Sequence, residues 1–492
     1  MKTEKWRLGL LSLLLSASLV NSEESAQIEL NGPLEGQAYL GGIKSSEMLA
    51  KQGYVEEEFM LSGTAVSYAI DGEFPKDGTA NAKESDSEAY TTRLLVRRPA
   101  HPDKFNGTVL VEWLNVSAGT DGSPVYSYTH RQLLRDGYAW VGVSAQKVGI
   151  DGMEGMPAVM PPLKKADPER YGMLVHPGDA FSFDIFSQAG RVVRGDGDVA
   201  IPGLDPTHLI AAGESQSAFH MVTYVNAIDP IARVYDAALI QARGGSSAPL
   251  DGIRMDRARA EFFSNPVLIR EDVRIPVLTV QSETDVLQLM SVIARQDDTD
   301  KIRLWEIAGA AHADTYLLVA AGQDHAGISP EKLATLMAPT PKVMGMELGK
   351  PVNAGPQQHY VMQAAVKHLD EWVREGTPPP IADRLALTAD GKAYVQDEYG
   401  NVRGGIRSPW VDAPTAVLSG LAQEGPGFAR LFGSTQPFDS AKLETLYPGG
   451  KADYLQRFTK ALESAIRSGF ILAEDKEEIL ALAAASYPQA EK

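Results

Sequence analysis

Ser215 lies in a sequence context that could make it a nucleophile. A short apolar run leads into the segment Gly213-Glu-Ser-Gln-Ser217, and apolar residues at helical spacing follow it. A strand, a sharp turn and a helix in this order hold a serine hydroxyl exposed above a sheet. Residue 217 must be small because the helix and the strand pack closely there, and serine stands where glycine is more usual. The pattern predicts a nucleophile elbow at Ser215, and a plain strand-to-helix turn is the alternative.

A serine nucleophile needs a base that accepts its proton and an acid that orients the base. In proteins with a nucleophile elbow, the acid and then the histidine follow the serine in chain order. Asp285 follows an apolar run at residues 275–280, and His312 follows another at 302–307, inside a loop of glycine and alanine. We therefore predict Ser215 as the nucleophile, Asp285 as the acid and His312 as the base.

Other polar residues compete for these roles. Glu283 follows the same predicted strand as Asp285 and is the alternative acid. Asp285 could instead cap a helix that begins around residue 286. Asp314 is expected to cap a loop, and His220, one turn after the serine, is expected to be structural. The choice between the two carboxylates stays open at this stage.

The oxyanion formed when a serine attacks a carbonyl group needs two preorganised N–H donors. One is expected to be the backbone N–H of Gln216, at a helix start where the helix dipole favours negative charge. The other is expected from Asn115 or Val116, directly after the strand predicted over 108–114. The polar, glycine-rich loop that follows could also be a plain surface loop.

The alternation of strand and helix patterns predicts the scaffold for these residues. Residues 23–100 are β-rich, with strands over 54–70 and 89–98 and a loop over 72–87. Later apolar runs separated by helical patterns predict a mostly parallel, doubly wound sheet with right-handed crossovers. These runs lie at residues 108–114, 138–144, 208–213, 237–240, 275–280 and 302–307.

Prolines 378–380 follow an amphipathic helix predicted over 355–375 and mark the best domain boundary. We predict a catalytic domain over 23–380 and a C-terminal extension over 381–492 that packs on its core. The extension is expected to hold helices near 451–467 and 475–486. Three connections are longer than usual and are predicted to supply lid material: residues 149–177, 244–272 and 319–354.

Residues 1–22 combine a basic start with a short apolar run, which predicts a secretory signal peptide cut near Glu23. A membrane anchor is the alternative, but the run is short for a span. Removing the segment takes the formal charge from −18 to −20, because it carries three basic residues and one acidic residue. The acidic balance argues against nucleic acid or an anionic membrane as a partner. The absence of cysteine excludes disulfides. We expect a periplasmic or secreted protein without stable membrane insertion.

Several segments of the chain are similar to the α/β-hydrolase superfamily. They are Glu112-Trp-Leu-Asn-Val-Ser117, Gly213-Glu-Ser-Gln-Ser-Ala218, Gln281-Ser-Glu-Thr-Asp285 and Gly309-Ala-Ala-His-Ala-Asp314. More narrowly, the chain resembles the "alpha/beta hydrolase domain-containing" group, which carries Gly-x-Ser-Gln-Ser at the elbow. Gly404-Gly-Ile-Arg-Ser-Pro409 is also similar to that group, so the resemblance runs from about residue 25 to near the C-terminus. It implies an α/β-hydrolase fold and a serine hydrolase acting on esters.

The expected activity is hydrolysis of a carboxylic ester through an acyl-enzyme that water then cleaves. This chemistry requires no cofactor, and the sequence has no metal-binding spacing such as His-Glu-x-x-His. The expected substrate is a small-molecule, carbohydrate or lipid ester. A peptidase or amidase with the same residues is one alternative, and a non-catalytic binding protein that keeps the fold is another.

Overall fold

The computed structural model of the chain describes residues 28–40, 46–153, 160–253, 265–324, 327–425 and 427–488. The predicted signal peptide lies outside these residues. Across the described ranges, no helix is long and apolar enough to cross a membrane.

Within the described residues, nine strands form one central sheet. In chain order they are β1 (Glu29–Asn31), β2 (Tyr54–Ala69), β3 (Lys83–Pro99), β4 (Thr108–Trp113), β5 (Ala139–Val143), β6 (His208–Glu214), β7 (Ala237–Gln241), β8 (Val277–Ser282) and β9 (Ile302–Ile307). Their order across the sheet is β1-β2-β3-β5-β4-β6-β7-β8-β9. Neighbours from β1 to β5 pair antiparallel, and neighbours from β5 to β9 pair parallel. The mostly parallel sheet with a β-rich start is confirmed.

In the described ranges, the chain also forms α-helices and two small hairpins. The α-helices are α1 (Ser46–Lys51), α2 (Pro124–Arg135), α3 (Lys147–Asp151), α4 (Leu163–Ala166), α5 (Pro168–Tyr171), α6 (Ser182–Arg194), α7 (Gln216–Thr223), α8 (Asp229–Ala232), α9 (Ala321–Asp324), α10 (Pro330–Leu336), α11 (Gln357–Glu375), α12 (Pro409–Asp412), α13 (Ser440–Leu446), α14 (Lys451–Arg467) and α15 (Lys476–Ser486). Single π-helical turns cover Tyr224–Ile228, Thr284–Gln288 and Tyr316–Ala320. The hairpins are β10 (Lys342–Val343) with β11 (Met346–Glu347), and β12 (Ala416–Ser419) with β13 (Ser434–Pro437).

Both faces of the parallel part of the sheet are buried. Because successive strand residues point to opposite faces, Leu110 and Val109 belong to different apolar clusters. The cluster of Leu110 includes residues of α2 and of Gln357–Glu375, and the cluster of Val109 includes residues of α6 and α7. Helices on two faces and short apolar strands between them are typical of a doubly wound sheet.

The loop predicted over residues 72–87 is wrong over its last five residues, 83–87. β3 begins at Lys83 and pairs with the end of β2 at Ala69. Residues 83–89 are exposed, so the strand there has no buried face and no apolar alternation to reveal it. Over residues 83–89, β3 therefore pairs with β2 without burying its own side chains.

Residues beyond the proline run pack directly on the main sheet and its helices. Trp410 stacks on Tyr360 of Gln357–Glu375 with ring centroids 5.6 Å apart. The backbone of Ile406 pairs with the end of β9, donating to the Glu306 carbonyl oxygen at 2.7 Å. Residues from both sides of the predicted boundary therefore share one apolar cluster.

Two of the three connections predicted as lid material are held by different contacts. In the described part of 149–177, Arg170 donates to Glu58 of β2 at 2.7 Å. In the described part of 244–272, the buried guanidinium of Arg243 donates to the carbonyl oxygen of Gly244 at 2.8 Å. Residues 154–159, 254–264 and 325–326 of these connections lie outside the described residues, and the lid role stays a prediction.

Candidate active site

The chain turns sharply at Ser215, between the end of β6 and the start of α7. The backbone of Ser215 has φ 56° and ψ −118°, a conformation that non-glycine residues rarely adopt. A Cβ on Gly213 would lie 2.8 Å from the Cγ of Met221 and 2.9 Å from the Ser217 carbonyl oxygen. The N–H of Ser215 donates to the Gln241 carbonyl oxygen at 3.0 Å and ties the turn to β7. The predicted strand, turn and helix are therefore present.

Ser215, His312 and Asp285 form one continuous hydrogen-bond chain. His312 Nε2 lies 2.8 Å from Ser215 Oγ, and His312 Nδ1 lies 2.6 Å from Asp285 Oδ1. The other oxygen of Asp285 accepts from the Ser282 N–H at 2.6 Å. Asp285 and His312 are buried, whereas Ser215 is partly exposed. With Nδ1–H donated to the carboxylate, Nε2 is free to accept the serine proton.

The electrostatic environment of His312 favours its protonated form. Burial alone lowers the pKa of His312, but the Asp285 carboxylate and then Glu214 outweigh burial and raise this pKa above its ordinary value. The imidazolium that forms when a serine loses its proton to His312 is therefore stabilised where it stands.

Glu283, the alternative acid, contacts backbone groups instead of His312. Its carboxylate accepts from the Gly309 N–H at 2.6 Å and from the Gly420 N–H at 2.8 Å. Burial raises the pKa of Glu283 to about 7, and these two N–H groups oppose the rise. Asp285 does not cap a helix, because the helical turn begins at Thr284 and already includes it.

The contacts of Asp314 and His220 are of the structural kind predicted for these residues. Asp314 accepts from the Leu317 N–H at 3.0 Å, as a loop cap does, and from the Tyr128 hydroxyl at 3.1 Å. His220 stacks on Trp113 with ring centroids 4.8 Å apart, and burial lowers the pKa of His220.

The predicted oxyanion donors belong to the helix after Ser215 and to the loop after β4. Gln216 is the first residue of α7, and Val116 lies in the loop after β4. Neither backbone N–H has a hydrogen-bond partner among the residues that the structure describes. The Asn115 N–H instead donates to the Gly122 carbonyl oxygen at 2.9 Å, so this amide is already occupied. The prediction for the second donor therefore narrows to Val116.

Glu214 is a site residue to which sequence reasoning gave no role. Its Oε1 lies 3.6 Å from His312 Nε2, and its Oε2 accepts from the Asn115 side-chain amide at 3.1 Å. Burial raises the pKa of Glu214 to about 8; the charge of His312 opposes the rise, and Asp285 and Glu112 reinforce it. The place of Glu214 at the end of the elbow strand could have identified it as a buried residue, because its side chain must point to one of the two buried faces of the sheet.

No group of three or more histidine, aspartate or glutamate side chains that could hold a metal ion occurs in the described part of the chain. The arrangement around Ser215 is suited to nucleophilic acyl transfer: a partly exposed hydroxyl, a base on it, a carboxylate on the base and the unoccupied N–H of the adjacent Gln216.

A family model described as "Alpha/beta hydrolase domain" matches residues 30–481. No functionally curated protein matches the chain. Similar solved structures include a fungal esterase from Rhizomucor miehei, at 13% identity over 68% of this chain and 89% of that one with a TM-score of 0.32. They also include a thermostable esterase from Pseudomonas putida ECU1011, at 12% identity over 54% and 78% with a TM-score of 0.27. A hyperthermophilic esterase from the archaeon Pyrobaculum calidifontis has 14% identity over 57% and 85% with a TM-score of 0.28.

Proposed function

The chain belongs to the alpha/beta hydrolase domain family, and from this premise we propose that it is a serine hydrolase that cleaves carboxylic esters. Membership confirms the superfamily and the fold class predicted from the sequence, and it supports a hydrolase. The proposal of a serine esterase is carried by two hydrogen bonds. One joins Ser215 Oγ and His312 Nε2 at 2.8 Å, and the other joins His312 Nδ1 and Asp285 Oδ1 at 2.6 Å.

In the proposed acylation step, Ser215 Oγ attacks the ester carbonyl carbon while His312 Nε2 takes the hydroxyl proton. The carbonyl oxygen becomes an oxyanion, which the N–H groups of Gln216 and Val116 are available to stabilise. Asp285 holds the imidazolium of His312 in the correct tautomer. His312 then gives the proton to the leaving alkoxide, and the carbon–oxygen bond to the alcohol breaks.

In the proposed deacylation step, a water molecule replaces the alcohol. His312 takes a proton from this water as its oxygen attacks the acyl carbon. The second tetrahedral intermediate collapses, His312 returns the proton to Ser215 Oγ, and the carboxylic acid leaves. The reaction consumes one ester and one water and needs no cofactor.

Labelling with a fluorophosphonate probe tests the nucleophile directly. We expect one phosphonate adduct per chain, on the peptide that contains Ser215, because an activated serine displaces fluoride from phosphorus. Hydrolysis of p-nitrophenyl butyrate should greatly exceed hydrolysis of the matched p-nitroanilide of butyric acid. The absence of any adduct would favour a binding protein, and faster cleavage of the anilide would favour an amidase.

Export is the second part of the proposal, and the basic, then apolar, start of the sequence supports it. When the full chain is produced in a Gram-negative host, N-terminal sequencing of the periplasmic or secreted protein should begin near Glu23. A substitution of the apolar run by charged residues should hold the unprocessed chain in the cytoplasm. Recovery of the protein from the membrane fraction with Met1 retained would contradict export and indicate an anchor.

A further inference from the structure

Gly420, directly after β12 in the C-terminal extension, is wedged between the loop that carries Asp285 and the loop that carries His312. A Cβ on Gly420 would lie 2.5 Å from the Ala310 carbonyl oxygen and 2.6 Å from both the Glu283 Cβ and the Thr284 N. No side chain fits into that space. The extension therefore touches the acid loop and the histidine loop at once.

Thr284 connects Gly420 to His312 through its hydroxyl group. The hydroxyl donates to the Gly420 carbonyl oxygen at 2.6 Å and accepts from the backbone N–H of His312 at 3.1 Å. Both bonds use the same oxygen, so its position fixes the backbone of His312 relative to the extension. Thr284 also directly precedes Asp285 in the sequence. The residue whose hydroxyl contacts His312 and Gly420 is therefore the backbone neighbour of the acid.

Glu283 makes a second, parallel connection. Its two carboxylate oxygens accept from the Gly309 N–H of the histidine loop and from the Gly420 N–H of the extension. Glu283 and Thr284 are fully buried, and Gly420 is buried as well. Hydrogen bonds without access to water are costly to break, so both connections resist movement of either loop.

We propose that Thr284 and Glu283, held by Gly420, are positioning residues that set His312 against Asp285. This inference rests on the proposed function, in which these two residues act on Ser215. It gives the C-terminal extension a part in the catalytic centre, although Ser215, His312 and Asp285 all lie before the proline run. Misplacing a reacting group by about 1 Å can lower a rate on the order of 10²-fold.

The test substitutes Thr284 by valine, which keeps the shape and removes the hydroxyl group. For Thr284→Val we expect kcat for p-nitrophenyl butyrate to fall on the order of 10²-fold with KM little changed. Thr284→Ser restores the hydroxyl and should recover most of kcat. Gly420→Ala should lower kcat as well, but it could prevent folding, so the threonine series carries the test.

Thr435 of β13, the strand that pairs with β12, offers a matched control. Its buried hydroxyl donates to the Val352 carbonyl oxygen at 2.9 Å and accepts from the Ala354 N–H at 2.8 Å, the same pattern as in Thr284 but with neither partner in the loop that carries His312. Thr435→Val should lower the melting temperature about as much as Thr284→Val does and leave kcat near the wild-type value. Equal losses of kcat in the two variants would reduce Thr284 to a general stabilising residue and overturn the proposal.

A readout without turnover separates this inference from the proposed function. The proton between His312 Nδ1 and Asp285 should give a downfield NMR resonance, which Thr284→Val should shift or broaden and Thr435→Val should not. If fluorophosphonate fails to label Ser215, the proposed function fails, but the resonance still reports the positioning. If Ser215 is labelled while Thr284→Val leaves both kcat and the resonance unchanged, the positioning role is wrong and the proposed function stands.

Discussion

Ser215→Ala is expected to lower kcat for ester hydrolysis on the order of 10⁴-fold or more while the protein stays folded. The variant loses the attacking oxygen, whereas His312, Asp285 and the two N–H donors remain. The residual rate should then come from binding and oxyanion stabilisation alone. Steady-state kinetics on the purified variant, with a thermal melt and fluorophosphonate labelling of the same sample, measures the effect.

Ser217→Ala is the matched control for that experiment. Ser217 lies on the first turn of α7, is fully buried, and its hydroxyl has no hydrogen-bond partner in the described structure. Removing an unpartnered buried hydroxyl should not lower stability, and it touches none of the reacting groups. We expect Ser217→Ala to keep turnover and labelling near wild type. Near-normal turnover of folded Ser215→Ala would show that the nucleophile has been assigned to the wrong residue.

The sequence predicted the central sheet well because its strands are short, buried and apolar. β6, β8 and β9 are apolar runs separated by helical patterns, so the sequence reveals them. Ser215, Asp285 and His312 each follow one of these strands. Parallel strands put their carboxyl ends at one edge of the sheet. The meeting of Ser215, His312 and a carboxylate after β8 was therefore foreseeable from their places after the strands, whereas the choice between Asp285 and Glu283 was not.

The contacts that support the hydrogen bonds between Ser215, His312 and Asp285 could not be predicted in the same way. Thr284 and Gly420 are separated by 136 residues, and their meeting depends on the register of the hairpin of β12 and β13, in which most residues are not fully buried. Glu214 and Glu283 are buried carboxyl groups, which composition and periodicity place at a surface by default. Long-range polar pairing leaves no periodic signal, so the contacts of these residues emerged only from the structure.

Asp285→Asn is expected to lower kcat on the order of 10⁴-fold with little change in melting temperature. Asparagine can still accept from the Ser282 N–H through its carbonyl oxygen. Its amide group then faces His312 Nδ1 as a donor, so the ring must carry its proton on Nε2. That nitrogen can no longer accept the proton of Ser215.

The pH dependence gives this substitution a second signature. Activity requires neutral His312, so kcat/KM in the wild type should rise with pH through a pKa above the ordinary value for histidine. Because the Asp285 charge raises the pKa of His312, its loss should move this acid limb to lower pH. The residual activity of Asp285→Asn should therefore reach its plateau at a lower pH than wild type.

Glu283→Gln is the comparison that decides between the two carboxylates. Glutamine fills the same space but has only one oxygen for the N–H groups of Gly309 and Gly420, so one of these bonds is lost. We expect a lower melting temperature, because a buried N–H is left unpaired. The loss of kcat should be at most about 10²-fold, since His312 keeps its bond to Asp285. The acid limb of kcat/KM should stay close to its wild-type position. If Glu283→Gln instead abolished turnover and Asp285→Asn kept it, Glu283 would have to be the acid and the hydrogen bond at His312 Nδ1 would have no catalytic role.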